Sequence, residues 1–116
     1  MPTGAAAEGA ALRFLEARGF LPVARNWRCR QGEIDLIVRQ DRLLVFAEVR
    51  LRNRDDFGGA AASVTLAKQR KIVATAGAFL QHHPEFCSCD CRFDVLAVRA
   101  GPDAWQVHWL PAAFTT

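Results

Sequence analysis

The chain has 116 residues, 51% of them hydrophobic and 23% charged, with a formal net charge of +3. These proportions exclude a disordered chain and suit a single domain, 1–116, with one hydrophobic core. No apolar run approaches the ~20 residues of a membrane span. The start MPTGAAAEGAAL lacks the basic region of a secretory leader, so a cytoplasmic location is expected.

Thr3 to Arg18 reads as a first helix, with Gly19 as its stop. Leu12 and Leu15 share a helix face with Glu8, so Glu8 projects from the apolar side. Phe20 to Cys29 predicts a first strand, and Glu33 to Gln40 and Leu43 to Leu51 the second and third. The Gly-rich stretch NRDDFGGAAAS reads as a loop. A second helix is expected from about Thr65 to His82, with an apolar stripe of Ile72, Val73, Ala76, Phe79 and Leu80 and with Pro84 just beyond it. Phe93 to Arg99 predicts a fourth strand and Trp105 to Leu110 a fifth, at the sheet edge. This order predicts an α/β fold with a mixed central sheet flanked by helices, in which the helical crossover makes the third and fourth strands parallel.

The hairpin GEIDLIVRQDRLLVFAEVRLR, Gly32 to Arg52, carries acids inside its best strands. A turn at Asp41-Arg42 sets Gln40 against Leu43, which places Asp35 opposite Glu48 and Glu33 opposite Arg50. Alternation then puts Glu33, Asp35, Glu48 and Arg50 on one face. It leaves Ile34, Leu36, Val38, Val45, Ala47, Val49 and Leu51 as the core face. Like charges opposed across a sheet are destabilising. A divalent cation removes the conflict, and two carboxylates completed by water suit Mg2+ or Mn2+. Arg50, two residues from Glu48, could hold a phosphate oxygen beside it. Glu33 and Arg50 could equally form a plain cross-strand ion pair.

Cys87, Cys89 and Cys91 alternate in CSCDC, just after His82 and His83. The spacing differs from Cys-x-x-Cys knuckles. A zinc-dependent interaction module is one reading, and reduced thiols in a loop of a cytosolic protein are the other.

Gly-Glu-Ile-Asp-Leu-Ile, followed after the turn by Val-Phe-Ala-Glu-Val-Arg, resembles the Asp…Glu-x-Lys core of the PD-(D/E)-x-K nuclease superfamily. Most of the chain is similar to the YraN family of small bacterial endonuclease-like proteins, themselves similar to archaeal Holliday-junction resolvases. The matching positions are Glu8, Gly19, Arg25-Asn26, Gly32 to Ile37, Phe46 to Arg52, Lys68 and Arg92-Phe93-Asp94-Val95.

The resemblance implies a restriction-endonuclease-like α-β-β-β-α-β core. It implies Asp35 and Glu48 as metal ligands, with the backbone carbonyl of Val49 as an extra ligand and Glu8 as a third acid. It also implies metal-dependent cleavage of DNA, branched or structured DNA included, for which a resolvase-like cut would need a homodimer. The apolar tail WQVHWLPAAF could supply that interface or pack on its own core. Arg50 stands where the family pattern has lysine. Arginine stabilises charge but cannot serve as a base, and Lys68 is a candidate substitute. Arg25, Arg28, Arg30, Arg52, Arg54, Arg70 and Lys71 could contact backbone phosphates. The alternative function is a non-catalytic nucleic-acid-binding module on a degenerate nuclease scaffold. Against it, Asp35 and Glu48 would repel DNA unless a cation intervenes.

Overall fold

The computed structural model describes residues 3–52 and 59–116. Arg54 and the front of the Gly-rich stretch lie outside the described residues. The elements run α1 (Gly4–Glu16), β1 (Leu21–Cys29), β2 (Gly32–Gln40), β3 (Leu43–Leu51), α2 (Leu66–His82), β4 (Asp90–Ala100) and β5 (Trp105–Phe114), with a short 3-10 turn, Pro84–Phe86, before β4. The expected α-β-β-β-α-β core is present. Among the described residues the sheet has five strands, in the order β1-β2-β3-β4-β5. Neighbours are antiparallel except β3 and β4, which run parallel through the α2 crossover.

Local chemistry sets the helix ends. Thr3 caps α1 by accepting the Ala6 N–H at 3.1 Å, and Thr65 caps α2 by accepting the Lys68 N–H at 3.2 Å. After α1 the chain reverses at Gly19, with φ +93. A Cβ there would stand 2.7 Å from the Gln40 amide nitrogen, which donates to the Arg18 carbonyl at 3.0 Å. Only glycine leaves room for that cap.

Each helix covers one face of the sheet. Ala7, Ala10, Ala11 and Leu15 of α1 pack on Leu36, Val38, Val45, Ala47, Leu96 and Val98. The small alanines let α1 lie close to the strands. On the other face, Ile72, Ala76 and Phe79 of α2 cover Ile37, Leu44, Phe46, Phe93 and Val95. There Phe46 stacks on Phe93 at 5.7 Å and meets Phe79 edge-on at 6.0 Å. Burial on both sides explains the near-continuous apolar runs of β3 and β4.

Several expectations change. The acid-bearing face of the hairpin is itself core farther along, because Ile37, Leu44 and Phe46 are buried under α2. Leu51 is not core: it is 40% exposed at the end of β3. Ile34 lies on the α2 side, although Leu36 and Val38 lie on the α1 side. Alternation therefore slips between Ile34 and Leu36. β4 begins at Asp90, so Cys91 is on a strand and not in a loop. β5 continues past Leu110 to Phe114. An edge strand tolerates Pro111, and the β4–β5 register shifts between Phe93 and Val95 to absorb Ala112, whose φ is +51. The apolar side chains of this tail pack on the chain's own core: Trp105, Val107 and Trp109 on the α1 side, Leu110, Ala113 and Phe114 on the α2 side.

Candidate acidic site at the open end of the hairpin

The β2–β3 register is the one the turn at Asp41-Arg42 dictates, from Gln40↔Leu43 to Leu36↔Ala47. The next position brings Asp35 to Glu48, but the ladder has ended. Instead, Asp35 Oδ2 accepts the Val49 backbone N–H at 2.8 Å. Strand N–H groups point along the sheet, so the Asp35 carboxylate lies between the strands rather than above a face. It substitutes for a backbone acceptor that a regular β2 would supply.

Glu48 is the centre of the cluster. Its side chain is 7% exposed, and its Oε2 lies 3.4 Å from Arg50 Nη2 and 3.8 Å from Lys68 Nζ. Its carboxyl also hydrogen-bonds with that of Asp35. Burial is the largest influence on its acidity, followed by the negative charge of Asp35. Together with the shared hydrogen bond they push the Glu48 pKa from 4.5 up to about 7, against the pull of Lys68 and Arg50. Near neutral pH Glu48 is therefore only partly ionised. Arg50 is half-buried, and its Nε is buried with no hydrogen-bond partner among the described residues. Lys68 sits in the first turn of α2, where the helix dipole disfavours a cation; Glu48 offsets that cost.

The other expected site residues are placed differently. Glu33 is ion-paired with Arg28 across β1 and β2, not with Arg50. The turn dictates the hairpin register but not which strand flanks β2 on its other side. Glu8 does project from the buried side of α1, where it meets Arg25 Nε at 3.6 Å; Arg25 also donates to the Ala5 carbonyl at 2.6 Å. Among the described residues, no three His, Cys, Asp or Glu side chains gather in a metal-holding group. Glu8 thus does not join Asp35 and Glu48, and Cys87, Cys89 and Cys91 do not converge with a histidine. His82 Nδ1 contacts the Ala78 carbonyl at 2.8 Å, and His83 stacks on Phe79 at 4.3 Å.

The basic residues do not form one stripe. Exposed Lys71 stands where the β1–β2 turn abuts α2, since a Cβ on Gly32 would lie 3.8 Å from the Lys71 Cβ, and exposed Arg30 lies in that turn; Arg28, near the end of β1, is held by Glu33. Arg25 is on the α1 side. Arg70 lies along α2 beside Val73 and Thr115. Arg52 follows β3, with its N–H donated to Val98 O at 2.8 Å and its guanidinium 3.5 Å from Gly59 O.

A further buried acid, Asp94, has another role. It is fully buried in β4 and receives two 2.9 Å bonds from Arg92, one of 2.9 Å from Trp109 Nε1 and one of 3.0 Å from the Ala112 N–H. The Trp109 and Ala112 bonds tie β5 to β4, the Arg92 bonds lie within β4, and none leads to Glu48. An aspartate within an apolar strand, two residues from an arginine on the same face, was the signal in the sequence.

Comparison with known proteins agrees on one family. Residues 7–98 match the group described as "Uncharacterised protein family UPF0102". A UPF0102 protein of Saccharophagus degradans is 50% identical over 97% of this chain and 92% of its own length. The UPF0102 protein RSc3265 of Ralstonia nicotianae is 51% identical over 97% of this chain and 85% of its own. A third, from Aeromonas hydrophila, is 53% identical over 92% and 80% respectively. The match spans α1 through most of β4, acidic cluster included, and the chain belongs to the UPF0102 family.

Proposed function

We propose that this chain is a metal-dependent DNA endonuclease whose acidic pair is Asp35 and Glu48 and whose working cations are Lys68 and Arg50. One observation carries the reading: two cations converge on one oxygen of a buried carboxylate that a second carboxylate crowds. Stability gives no reason to bury two acids together, whereas a phosphodiester-cleaving site needs that charge pattern.

The donor set fits Mg2+ or Mn2+, which accept two carboxylates and keep several waters. It does not fit zinc, which asks for nitrogen and sulfur ligands. Asp35, Glu48 and the Val49 carbonyl would hold the ion, and Glu8 would join only by giving up Arg25. When bound, such an ion would neutralise the pair and supply a more acidic water. The rest falls to the chain. The Val49 N–H fixes Asp35. Glu48 surrenders its shared proton. Arg50, permanently charged, stabilises negative charge on the phosphate, and Lys68 is the group at the site that can exchange a proton with the attacking water. The similarity to the PD-(D/E)-x-K superfamily supports this assignment, with the lysine on the helix instead of the strand. Arg25, Arg28, Arg30, Arg52, Arg54, Arg70 and Lys71 would contact backbone phosphates. Cutting both strands of a branched DNA would require a homodimer.

The test is cleavage of branched and linear DNA in Mg2+ or Mn2+ by the wild type and by Asp35→Asn. Wild-type cleavage that the variant loses is expected. Equal cleavage by both refutes the acidic site. The engagement of Arg50 with Glu48, in place of the lysine of the resembled pattern, favours one second reading: a nucleic-acid-binding module without catalysis. DNA binding by both proteins with cleavage by neither would establish it.

A further inference from the structure

We propose that Asn26 is a positioning residue of the acidic cluster: its left-handed backbone inside β1 turns Asp35 off the faces of the sheet and into the gap between β2 and β3. The proposal rests on the reading of Asp35 and Glu48 as the working pair, but its structural part stands apart from any activity.

Asn26 has φ +54 in the middle of a strand, a conformation that asparagine tolerates and β-branched residues do not. By register it faces Asp35. The rungs on either side, Arg25↔Leu36 and Trp27↔Ile34, are intact, and no Asn26–Asp35 rung forms. In a regular strand, residues two apart share a face. Here they do not. Arg25 reaches Glu8 and Ala5 of α1, whereas Trp27 packs edge-on against Phe79 of α2 at 5.3 Å. Opposite them, Leu36 lies in the α1 cluster and Ile34 in the α2 cluster. Both strands therefore change faces at one level, and each flanking pair stays matched as it crosses.

β3 does not change faces with them. Ala47 and Val49 both pack in the α1 cluster, on the face away from Phe46. The residue at the crossing on β2 thus points to neither helix, and its carboxylate meets the Val49 N–H and Glu48 from the side. β1 is an edge strand, where such a conformation disturbs a single ladder.

Three variants separate backbone from side chain. Asn26→Gly keeps access to positive φ; Asn26→Val forbids it, and Asn26→Ala is the milder form should the valine variant not fold. The readouts are hydrogen exchange of the Val49 amide by NMR, without metal or DNA, which reports its bond to Asp35, and Mn2+ affinity by calorimetry. For Asn26→Gly the Val49 protection should be unchanged and Mn2+ affinity should stay within about twofold of wild type. For folded Asn26→Val or Asn26→Ala the protection should be lost and affinity should fall about tenfold or more, as when a supporting residue of a metal site is removed. Wild-type Val49 protection in folded Asn26→Val or Asn26→Ala overturns the proposal. So does loss of Mn2+ affinity in Asn26→Gly with Val49 unchanged, which would make the side chain itself the active part. If the wild type binds no Mn2+, the proposed function fails while the Val49 readout still decides the role of Asn26.

Discussion

Glu48→Gln is the most informative single change, because it replaces a crowded carboxylate by a neutral group of the same shape. Folding moves the Glu48 pKa from 4.5 to about 7, chiefly by burial and by the Asp35 charge. At about 1.4 kcal/mol for each pH unit, that displacement opposes folding by up to roughly 3 kcal/mol once the group is ionised. The sign follows from proton counts. Between pH 4.5 and about 7 the folded chain binds more protons at Glu48 than the unfolded chain, so wild-type stability falls as pH rises through that window. Glutamine has no proton to lose. In EDTA, Glu48→Gln should match the wild type near pH 4.5 and exceed it above pH 7, by up to roughly 3 kcal/mol or ~10 °C in melting temperature. Chemical denaturation from pH 4.5 to 8.5 measures the gap. A variant less stable than wild type at pH 8.5, or a gap that ignores pH, refutes the reasoning. Mn2+ should close the gap by stabilising the wild type alone.

Lys68→Ala should lower cleavage on the order of a hundredfold by removing one of two charges at the developing anion. Lys68→Arg should restore little of it in a turnover assay, since Arg50 already supplies a permanent charge; full activity in Lys68→Arg would reduce Lys68 to a counter-ion. Asp94→Ala strands the Arg92 guanidinium and the Trp109 and Ala112 N–H groups. It should cost about 3–5 kcal/mol in chemical denaturation, yet leave Mn2+ affinity per folded molecule unchanged. A stability loss under ~1 kcal/mol would mean that water satisfies those donors.

What was legible in the sequence was periodic or local. The Asp41-Arg42 turn set the β2–β3 register, and that register brought Asp35 and Glu48 together. The α2 crossover implied the parallel β3–β4 pair. Alternation, a two-residue rule, fails beyond a residue that breaks it. Nothing in Arg25-Asn26-Trp27 announces a positive φ, so strict alternation puts Ile34 on the wrong face. A hairpin names one neighbour and β2 has two, so it sets Glu33 against Arg50 where the structure pairs it with Arg28. A helix wheel turns Glu8 inward but does not say what waits inside, and here it is Arg25.

The single parallel seam also bears on how the molecule is made. β1 to β3 form a meander and β4 with β5 a hairpin, each assembled from neighbours in the chain. The rungs from Leu43↔Asp90 to Leu51↔Val98 close a long loop that contains α2. Loop-closure entropy opposes that step more than the short hairpin closures, so it should limit the rate of folding. Asp35 and Glu48 meet within the meander, while Lys68 arrives with the crossover. A nascent chain would hold the acids and Arg50 before it holds Lys68. Val95→Ala, in the seam, should slow refolding, and Val107→Ala, at the outer strand, should act mainly on unfolding; the reverse pattern would put the slow step in the β4–β5 hairpin.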